Sequence, residues 1–194
     1  MKALIFPEHA SGAHEVGAKG WSLAFAERHG MRVPPWLAVS PEAPCGADGL
    51  PATLRAALAG AIARLSPAGE PVAVRSSAAD EDGSGASFAG QLESYLSVPP
   101  DEAAARVVQV RNSAAGARVL AYRAHHELKS QPAAPAVLVQ RMVKADVAGV
   151  AFSADPVSGR RAVCVVAAGK GVAADIVSGQ RDADTWHEIG RAHV

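Results

Sequence analysis

The sequence predicts a mixed α/β or α+β domain. Three observations lead there. Strand-like apolar runs alternate with segments of helical period. A polar, Gly-rich stretch of unusual length, residues 76–91, interrupts that alternation directly after a strand. Finally, 194 residues with 49% hydrophobic content can bury a core without disulfides or metal.

In chain order, Gly17–Gly20 leads into a helix predicted over Trp21–His29, with Trp21, Ala24 and Phe25 at helical spacing and Gly30 ending it. Val33-Pro34-Pro35 is an extended connector, because a residue before proline is pushed out of the α region. Trp36–Ser40 reads as a strand, and residues 41–51 form a Pro/Gly-rich loop. Thr53 is placed to cap a helix through Leu65, with Leu54, Leu58, Ile62 and Leu65 on one face. Strands follow at Val72–Arg75 and Leu92–Val98. A helix is expected from Pro100 to about Leu128. Further strands are expected at Val137–Val143, Val147–Ser153 and Ala162–Ala167, then a Gly-Lys-Gly turn at 169–171.

Composition excludes several function classes. Lys+Arg and Asp+Glu number 19 each, so the net charge is zero. A nucleic-acid partner held by phosphate neutralisation, or a polybasic membrane surface, is therefore disfavoured. No run approaches the ~18 apolar residues of a membrane span. Ala accounts for 43 residues and aromatics for only 5%, so the core must be built from Val, Leu, Ile and Ala. Cys45 and Cys164 lie far apart without Cys-x-x-Cys spacing, which fits a reduced, cytoplasmic chain. The seven histidines show no metal spacing, and no Gly-x-Ser-x-Gly elbow is present.

Two segments carry candidate chemistry. Val72-Ala73-Val74-Arg75-Ser76-Ser77 sends a permanent cation out of an apolar strand into a loop rich in hydroxyls and in unhindered amides near Gly83, Gly85 and Gly90. Such amide concavities bind phosphate. An Arg75 pair with Asp80, Glu81 or Asp82 fits the same residues. Gly17-Ala18-Lys19-Gly20 puts Lys19 at a helix start, where N–H donors and the helix dipole favour an anion. It equally fits a solvated turn lysine, and the P-loop pattern is absent. Gln140-Arg141-Met142-Val143 ends a strand whose main chain could meet a flat base, with Met142 as an adaptable wall. An ordinary core strand has the same pattern.

Three blocks, GAKGWSLAFAERHGMRVPPWLAVS, VAVRSSAADEDGSGASFAGQLESYLSV and VLVQRMVKADVAGVAFSADPVSGR, together resemble the N-terminal nucleotide-binding domain of the phosphoenolpyruvate synthase / pyruvate phosphate dikinase family. The resemblance implies an ATP-grasp fold, with the second lobe incomplete, and ATP-dependent phosphoryl transfer through a phosphohistidine to pyruvate. A rifampin-type antibiotic phosphotransferase shares the same blocks, and a non-catalytic nucleotide-binding module is the alternative from another class. Residue by residue, the resemblance implies ATP-phosphate contacts at Lys19 and Arg75. It implies a phosphate-covering loop over 76–91, including Ser76, Ser77, Ser87, Gly90 and Gln91, and an adenine hinge at Gln140, Arg141, Met142 and Val143. Mg²⁺ is implied as a cofactor, with its ligands expected beyond residue 194, as are the phosphohistidine and pyruvate-binding domains as partners. The chain departs from the family in having Ala18 for a usual Gly, in a shorter stretch between Ser40 and Pro71, and in Ala167–Ala174, which lacks the expected carboxylates.

The last six residues, Ile-Gly-Arg-Ala-His-Val, are what a common short-read sequencing adapter encodes in one frame (ATC GGA AGA GCA CAC GTC, then a TGA stop). Residues 1–188 are therefore expected to be the partial ATP-binding domain, and 189–194 a non-native tail.

Overall fold

The computed structural model describes residues 2–46, 49–79, 93–114, 116, 134–161, 163–171, 176 and 182–189. The chain divides into two units, Met1–Met142 and Val143–Val194. Its class is α+β, as expected, and the described residues form three α-helices and two antiparallel sheets.

The first unit is built on five strands: β1 (Leu4–Ile5), β2 (Trp36–Val39), β3 (Val72–Ser77), β4 (Ser94–Val98) and β5 (Ala136–Arg141). They lie in the order β1-β2-β5-β3-β4, every pair antiparallel. Three helices cover the sheet: α1 (Ala13–Arg28), α2 (Ala52–Leu65) and α3 (Ala103–Ser113). Side chains alternate along a strand, and here both faces are covered. Leu37 and Val39 of β2, Val72 and Val74 of β3, and Val137 and Val139 of β5 share one core with Leu54, Leu58 and Ile62 of α2 and Val107 and Val110 of α3. Trp36, Ala38 and Leu138 point the other way and pack with Val16 and Ala24 of α1. That is why all four residues of β2 are buried, with no polar alternation.

Local departures from the sequence reading have physical causes. The helix expected from Trp21 begins at Ala13 and is broken at Gly17, whose φ of 71° and ψ of 173° are not helical. Only Gly17 leaves the helical region, so a second helical segment starts at Ala18 and Lys19 stands at a helix start, as expected. Thr53 does not cap α2. Pro51 stands at the N-cap, and its carbonyl accepts the first helical bond, from Arg55 N–H at 2.9 Å. β3 runs two residues further than expected, because Ser76 and Ser77 continue the ladder opposite Val137 and Ala136. β5 stops at Arg141 and not at Val143. α3 is described to Ser113, and the expected continuation toward Leu128 lies outside the described residues.

The second unit holds a three-stranded antiparallel sheet in the order β6-β7-β8, formed by β6 (Val147–Phe152), β7 (Val163–Lys170) and β8 (Asp184–Ile189). The Gly169-Lys170 pair, expected as a turn, finishes β7 opposite Ala148 and Val147. Between β6 and β7 the carboxylate of Asp155 organises the turn. It accepts from Val157 N–H at 2.9 Å and from the Ser158 hydroxyl at 2.5 Å, and Gly159 follows with φ 72°.

Three outcomes follow from this packing. Leu58→Ala, at a fully buried position, should cost about 2–5 kcal/mol in chemical denaturation, whereas Leu96→Ala, at a position 44% exposed, should stay within about 0.5 kcal/mol. Gly17→Ala should cost at least about 1–3 kcal/mol from backbone strain alone. The Ser158 hydroxyl, followed by the Val157 amide, holds the Asp155 carboxyl below its ordinary value. A lowered folded-state value means that this contribution is present above the unfolded value and is lost as pH falls through the folded one. An NMR titration should therefore show Asp155 moving upward, toward the ordinary carboxylate range, in Ser158→Ala.

Candidate functional site

Strand β3 sorts its side chains by parity. Val72, Val74 and Ser76 share the face toward α2 and α3, while Ala73, Arg75 and Ser77 share the face toward α1. Arg75 is paired with Leu138 on β5 and Ser94 on β4. Leu138 is buried in the α1 core, yet Arg75 and Ser94 are exposed, so α1 leaves this flank of the sheet open. Among the described residues Arg75 has no ion-pair partner. A guanidinium carries a fixed fork of donors suited to phosphate.

Lys19 lies two residues beyond the break at Gly17. Its Nζ donates to the Ser76 carbonyl at 3.2 Å, the residue next to Arg75. The contact spans 57 positions of sequence and brings two cations to one end of β3.

The geometry that places Lys19 is a clamp between α1 and β3. Ser77, fully buried, donates its hydroxyl to the Val16 carbonyl at 2.7 Å and accepts from Gly20 N–H at 3.1 Å. Ala18 N–H donates to the Ala78 carbonyl at 2.9 Å. Gly17 is obligatory here: a Cβ on it would sit 1.9 Å from the Ser77 carbonyl oxygen, at a φ of 71°. Two of the amides expected to be free at this helix start are therefore engaged: the Ala18 N–H is spent on Ala78 and the Gly20 N–H on Ser77. Sequence reasoning did not anticipate the clamp. Its only trace in the sequence is a glycine and a serine 60 positions apart.

The exit of β5 is fixed from both sides. Gln140 Nε2 donates to the Pro34 carbonyl at 3.2 Å, Arg141 N–H to Pro35 at 2.9 Å and Met142 N–H to Pro71 at 2.9 Å. The Arg141 guanidinium pairs with Glu70 at 3.5 Å. Hydrogen bonds from the Glu70 backbone, the Ala68 amide and the Ser66 hydroxyl, with Arg141 nearby, hold that carboxyl below its ordinary value. Val143, 57% exposed, is the first residue of the second unit.

Ser87, Gly90 and Gln91, and the carboxylates Asp80, Glu81 and Asp82 weighed against a phosphate role for Arg75, lie outside the described residues. Among the described residues no three His, Cys, Asp or Glu side chains gather to hold a metal ion. The described residues do not by themselves fit Mg²⁺. No described helix is long and apolar enough to cross a membrane.

Comparison with known proteins identifies the family of the chain. The family model described as the pyruvate phosphate dikinase AMP/ATP-binding domain matches residues 47–192. A rifampicin phosphotransferase of Streptomyces sviceus is 42% identical over 133 residues, covering 66% of this chain and 15% of the relative. A probable phosphoenolpyruvate synthase of Archaeoglobus fulgidus is 41% identical over 116 residues, covering 59% of this chain and 15% of the relative. A prodigiosin-synthesizing transferase of Serratia marcescens is 34% identical over 199 residues, covering 89% of this chain and 22% of the relative. The chain thus spans about a fifth or less of the length of these three relatives. Residues 47–192 cover most of the sequence, and on that match the chain belongs to the pyruvate phosphate dikinase AMP/ATP-binding domain family.

Proposed function

We propose that this chain is the ATP-binding part of a phosphotransferase that moves phosphate from ATP, via a phosphohistidine carried elsewhere in the parent protein, to pyruvate. The observation that carries the reading is the convergence of Lys19 and Arg75 at one end of β3, through the 3.2 Å bond from Lys19 Nζ to the Ser76 carbonyl. Phosphoryl transfer needs little covalent chemistry from the protein and much positioned charge. An exposed guanidinium and an adjacent ammonium supply part of that charge.

In this reading the fold is of ATP-grasp type. The segment Gln140–Val143, at and beyond the end of β5, meets the adenine, and the rest of the expected loop, from residue 78 to 91, covers the phosphates, Ser76 and Ser77 being buried in β3. With the Arg141 and Met142 amides already donated to proline carbonyls, the hinge offers carbonyls and the Val143 amide to the base. Mg²⁺ ligands and the phosphate-accepting histidine belong to other parts of the parent protein.

A second reading, a rifampin-type antibiotic phosphotransferase, is favoured by the 42% identity to the Streptomyces sviceus protein. It shares the ATP site and differs in the acceptor. Assay of the full-length parent with ATP and either pyruvate or rifampicin separates the two. Nucleotide binding without turnover of either acceptor would point to a non-catalytic module.

Calorimetry on the chain itself tests the phosphate role. Arg75→Ala should weaken ATP binding by about 10–100-fold, the worth of a charge-assisted contact of about 1.5–3 kcal/mol. The melting midpoint should stay near wild type, because the side chain is exposed. Unchanged affinity would refute the role. The purified 194-residue chain should also release no AMP from ATP and pyruvate, and AMP above the enzyme-free background would overturn that expectation.

A further inference from the structure

The first amides of any helix lack partners within the helix, and an N-cap side chain usually supplies one. The second segment of α1 starts after Gly17, which has no side chain to offer. The acceptors come instead from the end of β3 and the residue after it, some 60 positions away: the Ala78 carbonyl takes the Ala18 N–H, and the Ser77 hydroxyl takes the Gly20 N–H. The same hydroxyl gives its only proton to the Val16 carbonyl, across the break. One oxygen therefore joins both sides of the Gly17 break to the strand that carries Arg75. Its donor and its acceptor are both occupied inside the protein, and the residue is fully buried, so it has nothing left to offer a phosphate oxygen.

We propose that Ser77 is a positioning residue for Lys19: its hydroxyl acts as an N-cap supplied from a distant strand and sets Lys19 Nζ over the Ser76 carbonyl beside Arg75. This rests on the reading of Lys19 as a phosphate contact. It moves Ser77 from the set of direct ligands, where the sequence pattern puts it, to the support behind one of them. It also assigns anion recognition at this helix start to the Lys19 ammonium and not to the Ala18 and Gly20 amides.

The test is a double-mutant cycle on ATP affinity in the 194-residue chain, with Ser77→Ala, Lys19→Met and the pair, read beside each variant's melting midpoint. Ser77→Ala should weaken ATP binding roughly five- to tenfold, and the same change in the Lys19→Met background should weaken it no further. A loss that persists in full in the Lys19→Met background makes Ser77 a direct ligand and overturns the proposal. A lowered midpoint with unchanged affinity makes it merely structural and overturns it equally. Should Ser77→Ala not fold, Ser77→Cys keeps the side-chain size with a weaker donor and acceptor, and is judged by the same cycle.

A second measurement separates this idea from the phosphate reading. Acetylation of individual lysines by acetic anhydride, followed by mass spectrometry, should show Lys19 accelerating several-fold in the Ser77 variant relative to the exposed Lys2 and Lys144. If the wild-type chain binds no ATP, the phosphate reading falls and this ratio alone decides the positioning claim. An unchanged ratio overturns it.

Discussion

The candidate site depends on how closely α1 approaches the end of β3. The approach is possible because residue 17 has no Cβ and tolerates a φ of 71°. Any other residue there would put a Cβ 1.9 Å from the Ser77 carbonyl oxygen, so helix and strand could not keep their hydrogen bonds without shifting. Contact with β3 then satisfies amides that the broken helix cannot satisfy itself, and buried amides without acceptors are costly. Gly20 extends the same logic. A Cβ at that position would lie 3.1 Å from Leu138 and 2.9 Å from Val16, so the helix seats directly on the sheet.

The sheet beneath supplies rigidity. β2, β5 and β3 form its buried centre, with Leu37 and Val74 both opposite Val139. Helices on both faces remove water from these strands, and the apolar area buried this way is the main stabilising term. The proposed phosphate contact lies where that covering ends. Arg75 follows three buried residues of β3 and emerges on a flank that α1 does not reach, while Ser76 and Ser77 after it return to full burial. One exposed cation in an otherwise buried strand has no role in the core. The proline carbonyls of residues 34, 35 and 71 similarly pin the end of β5, so that the residues leaving the first unit start from a fixed point.

Much of the fold was legible locally. The period of Leu54, Leu58, Ile62 and Leu65 matches the buried face of α2, and the apolar runs at 36–39, 72–74 and 137–139 are strands. β8 was not legible, since Asp184-Thr185-Trp186-His187-Glu188-Ile189 has neither an apolar run nor apolar alternation, and it is a strand because β7 offers an open edge. The extension of β3 through two serines was missed for the same reason. Pairing partners, which local sequence does not contain, stabilise residues of modest strand preference.

By itself the sequence determined the class, the helices with strong period, the central strands and, through three blocks, the family. These are properties of short windows and fixed spacings. Only the tertiary structure decided that Lys19 meets the carbonyl beside Arg75, that the amides at the α1 break are already spent, and that the Ser77 hydroxyl faces inward to the helix. Each of these is a hydrogen bond between groups 57 to 61 residues apart, and its existence rests on backbone distances that no local pattern encodes.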